Sequence, residues 1–338
     1  LFDKMLSGDQ SVVSLEEQTD YAAAFTKVFQ QPGALAPALR RPDSPLRKVH
    51  IASFELIFPT ELAASSSGHM GAQNVAYTYF LRNTTPQKMK EIADLALADF
   101  SEAVRARGYE VLPPGALVNT SFKEHIDAAA NVQQRERGAL SKMFGNKETE
   151  ADNVAVVVQA TGTGVFPSQQ IMSTGPFGKL AAETGAMVVG VRMRVVFSEI
   201  ADVGGIAFSA VEAKPRNVVG KGTEIHIHAP DGNFWQMPLY RAVGLPHGIV
   251  KEAVRMEVTG GERAQAIATV GASALLGFFG GSGSGGLAGA VGGVNSQDAA
   301  QALGESPKFE VTAQEDYVSN VTGDLKLATR MMVEALPH

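Results

Sequence analysis

Cysteine is absent from all 338 residues. That excludes disulfides, thiolate zinc sites, iron–sulfur clusters and cysteine nucleophiles. A cationic surplus is missing too. The net charge is −6, so there is no broad basic face of the kind that non-specific nucleic-acid binding requires. Arg40, Arg41, Arg47 and Lys48 form one small basic cluster, read here as a solvated segment. An initiator methionine is missing as well. The chain begins Leu1-Phe2-Asp3, as a mature protein does after loss of a signal peptide or as a piece does at a chosen boundary. Charge itself is missing from one long run: no ionisable side chain stands between Arg263 and Asp298.

That uncharged run is also the most glycine-rich part of the chain, far above the usual ~7%. It carries bulky apolar side chains at Leu275, Leu276, Phe278, Phe279, Leu287 and Val291. In a soluble linker these would face water at about 25 cal/mol for each Å². They therefore call for cover from a neighbouring subunit, from lipid, or from the chain's own core. Gly281, Gly285, Gly289 and Gly293 recur at four-residue spacing, which lays a smooth stripe along a helix and lets another helix approach closely. The apolar stretch 264–280 falls slightly short of the ~20 residues a membrane span needs.

Elsewhere the composition describes a globular protein: 45% hydrophobic and 19% charged. Residues 21–29 predict a short helix, and the proline-bearing stretch 31–47 predicts a linker. KVHIASFELIF (48–58) and NVAYTYFL (74–81) predict strands. The best helix follows. Thr84 or Thr85 caps it, Pro86 sits in its first turn, and Gly108 stops it. Met89, Ile92, Ala96, Phe100, Ala103 and Val104 make its apolar face. Strands are predicted at 109–112, at 153–161 as a run covered on both faces, and at 187–200 after a short helix 177–184. Asp202 to Gly205 predicts a turn; 206–213, 223–229 and 234–240 predict antiparallel strands, with Asp231-Gly232 as a hairpin turn. Residues 314–336 predict a C-terminal helix. The expected fold class is α/β (α+β): a mixed sheet with a long helix packed on it, antiparallel strands and a C-terminal helix. The expected organisation is an extension at 1–47, an α/β domain at 48–260, the glycine-rich apolar segment at 261–296 and a C-terminal helix segment at 297–338.

Candidate chemistry is sparse. His226 and His228 form H-x-H on a strand, so both side chains share a face with Glu224. Two imidazoles so placed suit a metal, with His247 the nearest further histidine. The plainer expectation is an exposed strand with polar alternation. Val219 to Thr223 (VGKGT) lacks phosphate-loop spacing and reads as a turn. Thr161 to Gly164 completes no dinucleotide fingerprint, and Ser65 to His69 forms no nucleophile elbow and reads as a loop. Trp235, beside Phe234, and Tyr240 are candidate ligand contacts, with a core role for Trp235 as the plainer reading. No catalytic residue, metal or cofactor is expected.

Two passages carry a family resemblance. One is KVHIASFELIF followed by the long helix and RGYEVL. The other is VAVVVQATGTGVF followed by KLAAETGAMVVGVRMRVVFSEI, in which a helix ends in Thr-Gly-Ala and leads into a long strand. Together (48–112 and 153–214) they resemble the periplasmic α/β domain shared by the curli secretion protein CsgG and the TolB N-terminal domain. The glycine tract resembles glycine-zipper segments of bacterial envelope proteins. The resemblance implies a non-enzymatic envelope protein, periplasmic or outer-membrane associated, that works by oligomeric assembly, as in a secretion or surface-appendage complex. Its partners would be further copies or envelope components, with membrane contact through the tract and no nucleic acid. Two other readings compete. One is a periplasmic ligand- or glycan-binding module using Trp235 and Tyr240. The other is a metal-dependent hydrolase built on His226 and His228.

Overall fold

A computed structural model describes residues 12–29, 47–66, 75–129, 155–167, 175–204, 209–214, 216–247, 250–255 and 308–336. The glycine-rich tract, with every expected assembly residue from Leu275 to Gly293, lies outside the described residues, as does the expected linker up to residue 46. In chain order, β1 (Val13–Ser14) and α1 (Tyr21–Val28) precede β2 (Lys48–Pro59), β3 (Glu61–Ser66), β4 (Val75–Arg82), α2 (Pro86–Ala106) and β5 (Glu110–Val111). Next come α3 (Lys123–Ala129), β6 (Ala155–Gln159), α4 (Pro176–Thr184), β7 (Met187–Val196), β8 (Glu199–Gly204) and β9 (Ser209–Lys214). Four strands follow: β10 (Val218–Val219), β11 (Glu224–His228), β12 (Phe234–Pro238) and β13 (Val243–Gly244). The chain closes with β14 (Val250–Arg255), β15 (Lys308–Ala313) and α5 (Tyr317–Met332).

Local chemistry sets the helices. The Thr85 hydroxyl accepts from Lys88 N at 3.2 Å, Pro86 fills the first turn, and Gly108 ends α2 at φ +85°. Of the face that the periodicity predicts, Met89, Ile92, Ala96, Phe100 and Val104 are buried and Ala103 is partly buried at its edge. Burying side chains of the larger sizes contributes about 1.5–3 kcal/mol each. Gly185 closes α4 in the left-handed region at φ +65° and turns the chain straight into β7.

β2 and β7 run parallel at the centre of the main sheet, with a bulge in β2 between Ile51 and Ser53. β5 (parallel) and β6 (antiparallel) flank β2 on the far side. β11 and β10 both run antiparallel along the other side of β7, followed outward by β12, β13 and β1. One face holds the main core: Val49, Ile51, Phe54 and Leu56 with Met187, Val189 and Val191, closed by α1, α2 and α5. The opposite face is covered by α4 and the segment 114–129 through a smaller cluster that includes Ala52, Leu117, Phe122, Phe166, Phe177 and Leu180.

Four expectations are corrected. The N-terminal segment is part of the domain. β1 pairs with β13, and Leu15, Phe25, Val28 and Phe29 are buried, so apolar burial docks α1 where composition showed only a mixed stretch. The long strand 187–200 breaks after Val196, and its continuation β8 runs through Asp202, Val203 and Gly204, the expected turn, because these pair with Val211, Ala210 and Ser209. Ser65 and Ser66 are strand rather than loop, paired with Ala76 and Val75. β14 and β15 are strands where none is expected: β14 is defined by its pairing with β15, and β15 also buries Val311 and Ala313 in the main core.

A second sheet has the order β14-β15-β4-β3. β15 is parallel to β4. Both lead away from their hairpin tips, so segments 67–74 and 256–307 leave this sheet at the same end. β3 and β8 begin just beyond the C-terminal ends of the parallel pair β2 and β7, so both depart from one end of the main sheet.

Candidate functional site

A polar row crosses the second face of the main sheet. Glu55 on β2, Arg192 on β7 and Glu224 on β11 are cross-strand partners, so register alone places them side by side. Arg192 Nε donates to Glu55 Oε1 at 2.6 Å and Nη1 to Glu224 Oε1 at 3.2 Å. Nη2 donates to the Phe166 carbonyl at 3.3 Å, and the guanidinium lies 4.3 Å from the Phe166 ring centroid. The Gln159 amide on β6 donates to Glu55, and the Gln236 amide on β12 donates to Glu224 Oε2 at 3.0 Å. Five strands are thus tied by one row. Arg192 and Glu55 are 3% and 1% exposed at the side chain, so the planar guanidinium is held by geometry as well as charge. A one-residue slip of β7 would turn Arg192 to the apolar face, so the row fixes register.

His226 joins the row through Nε2, 2.9 Å from Glu224 Oε2. Burial weighs most heavily on Glu224 and raises its carboxyl. The bond and charge of His226, the charge of Arg192 and the Gln236 amide together outweigh that effect and hold it below the ordinary range. His226 and His228 do share one face, but neither is exposed as expected; they are 3% and 1% exposed, because α4 and Phe166 roof this part of β11. His228 sits among Phe177 and Phe234, with ring centroids at 5.7 and 5.5 Å, and neither of its ring nitrogens has a hydrogen-bond partner among the described residues. Among the described residues no three His, Asp or Glu side chains are grouped to hold a metal. His247 lies in a different cluster. Its Nδ1 is 2.6 Å from Asp324 Oδ1, while Asn217 Nδ2 donates to Asp324 Oδ2 at 2.7 Å. Burial raises the Asp324 carboxyl, with these bonds opposing. This cluster pins α5 to the segment that leads into β14.

The His228 surroundings make a pH prediction. Burial, with the neighbouring His226 adding to it, pushes this imidazole from 6.5 down to about 4. A base that titrates lower in the folded chain than in the unfolded one contributes stability that is complete above pH 6.5 and lost as pH falls through about 4. The loss is about 3 kcal/mol. Burial pushes His50 and His125 the same way, with Glu124 opposing at His125. Urea unfolding near neutrality and near pH 4.5 should therefore show a smaller acid loss in His228→Phe than in the parent, by about that amount. Equal losses would contradict this account of the site.

The candidate ligand contacts part company. Trp235 is 8% exposed and packs in the main core on the face opposite Phe234. Tyr240 is 47% exposed, and its hydroxyl donates to the Thr26 carbonyl at 3.4 Å. Sequence reasoning missed Glu55, Arg192, Gln159 and Asp324. A signal was present for the first two, which are charges inside largely apolar strand runs, Glu55 in KVHIASFELIF and Arg192 beside Arg194 in MVVGVRMRVV.

Fold and site together define the class: an α/β protein on a mixed sheet, with a buried charged row under a helical cover. No family model matches the chain, and neither a curated protein nor a solved structure matches it.

Proposed function

We propose that this is a non-enzymatic protein of the bacterial cell envelope that works by oligomeric assembly, in the manner of the CsgG and TolB N-terminal type of domain. Further copies of the chain, or envelope components, are its partners. The glycine-rich tract and the outer hairpins form the contact surface, against protein or lipid. The observation that carries this reading is where the tract is inserted. It lies within 256–307, between β14 and β15, whose near ends are paired at Arg255 and Phe309. An insertion with an uncharged, apolar centre (264–297) thus leaves and re-enters the fold at one point, on a sheet whose other hairpin, β3–β4, has its tip at the same end. That placement suits an element directed at something outside the domain. Among the described residues no helix is long and apolar enough to cross a membrane, so a membrane contact would not run through those helices.

Light scattering on the purified chain tests the reading. The expected mass is a discrete multiple of 35.6 kDa, either in buffer or after mild detergent extraction from membranes. A 35.6 kDa monomer in both conditions would overturn it.

A further inference from the structure

Unsatisfied polar atoms are concentrated under α4. His50 Nδ1, Ser53 Oγ, His226 Nδ1 and both ring nitrogens of His228 are buried with no hydrogen-bond partner among the described residues. All lie on one face of the main sheet. His50 is paired with Val188, Ser53 with Gly190, His226 with Gly190 and His228 with Val188, and paired residues share a face. Buried polar groups without partners are rare and weaken the closed state relative to one that admits water.

The cover over them is light. α4 spans only Pro176–Thr184, starts after Gly175 with no side-chain cap, and ends at Gly185. Phe177, Leu180 and Ala181 attach it through the smaller cluster, separate from the main core that α2 and α5 share. Phe177 lies over Gly190, where a Cβ would collide with its ring, and against His226 and His228 at 6.3 and 5.7 Å.

Among the described residues, the charges around His228 offer it no counter-ion. The β11–β12 turn brings Asp231, which accepts from Asn233 N at 3.0 Å and from its side-chain amide at 2.8 Å. From β2 come His50 and Glu55, with Glu55 bonded to Arg192 of β7. From β11 come His226 and Glu224, already bonded to each other and to Arg192. α3 brings His125, stacked on Phe122 at 4.7 Å, with Glu124 beside it in sequence. α4 brings Lys179 and Glu183, both exposed, and Glu183 accepts from Ser121 N at 3.0 Å. β12 and the stretch 160–167 contribute no titratable side chain. A proton on His228 would sit beside a second imidazole and between aromatic rings, with release into water as its one relief.

We propose that α4 is an acid-released flap: protonation of His228 lifts this helix from the sheet and bares His226 and His228, while the main core stays folded. Hydrogen exchange read by mass spectrometry on the full chain tests it, with rates corrected for intrinsic pH dependence. Between about pH 7.5 and about pH 5, protection of the α4 amides should fall at least tenfold, and protection of α2 and α5 should hold. His228→Phe, or His228→Leu should the first variant not fold, should keep α4 protected at the lower pH. Three results would overturn the flap: no loss in α4, an equal loss in α2 and α5, or the same loss in a folded His228 variant.

Discussion

Arg192→Ala destabilises the protein by about 3–5 kcal/mol, enough to unfold an ordinary domain outright. The side chain is 3% exposed and bonds to Glu55 and Glu224, so its removal leaves two carboxylates on one sheet face without their shared cation. The large number comes from that uncompensated charge rather than from the strength of the ion pairs. A second variant separates the two. Glu55→Gln/Arg192→Met/Glu224→Gln removes all three charges and keeps similar volumes, so it should lie much nearer to the parent in stability. Urea titrations of the three proteins check this. A loss in the triple variant as large as in Arg192→Ala would mean that packing, not charge balance, holds the row.

Deleting 271–293 should abolish assembly and leave the domain folded. The reason is geometric. Arg255 and Phe309 are paired neighbours, so the chain on either side of the insertion is held together without it. Every described strand and helix lies outside the deleted run. What is lost is the apolar surface of Leu275, Leu276, Phe278, Phe279, Leu287 and Val291, together with the glycine stripe. Circular dichroism should stay as in the parent, while the mass in solution falls to that of one chain and partition into detergent disappears. An unchanged mass and unchanged partition would remove the tract from the account.

The elements legible in the sequence are those written locally. Thr85, Pro86, Gly108 and a three-to-four spaced apolar face specify α2 before any partner is known. Gly185 does the same for the end of α4, and Gly232, at φ +86°, for the β11–β12 turn. β1, β10 and β13 are too short to carry a period, and VKEAVR does not alternate, so β14 becomes a strand only through its neighbours. KFEVTA does alternate, with Val311 and Ala313 buried, so a signal for β15 was present in the sequence. The site divides in the same way. That His226, His228 and Glu224 share a face follows from strand periodicity. That they are buried does not, since α4 arrives from a distant part of the chain. The Glu55–Arg192 bond joins residues 137 apart, beyond any spacing rule.

Assembly is the central claim, and an electron-microscope image of the purified particle tests it most directly. The account predicts closed rings or filaments built from one repeating unit. Isolated particles the size of a single 35.6 kDa chain, with and without detergent, would contradict it.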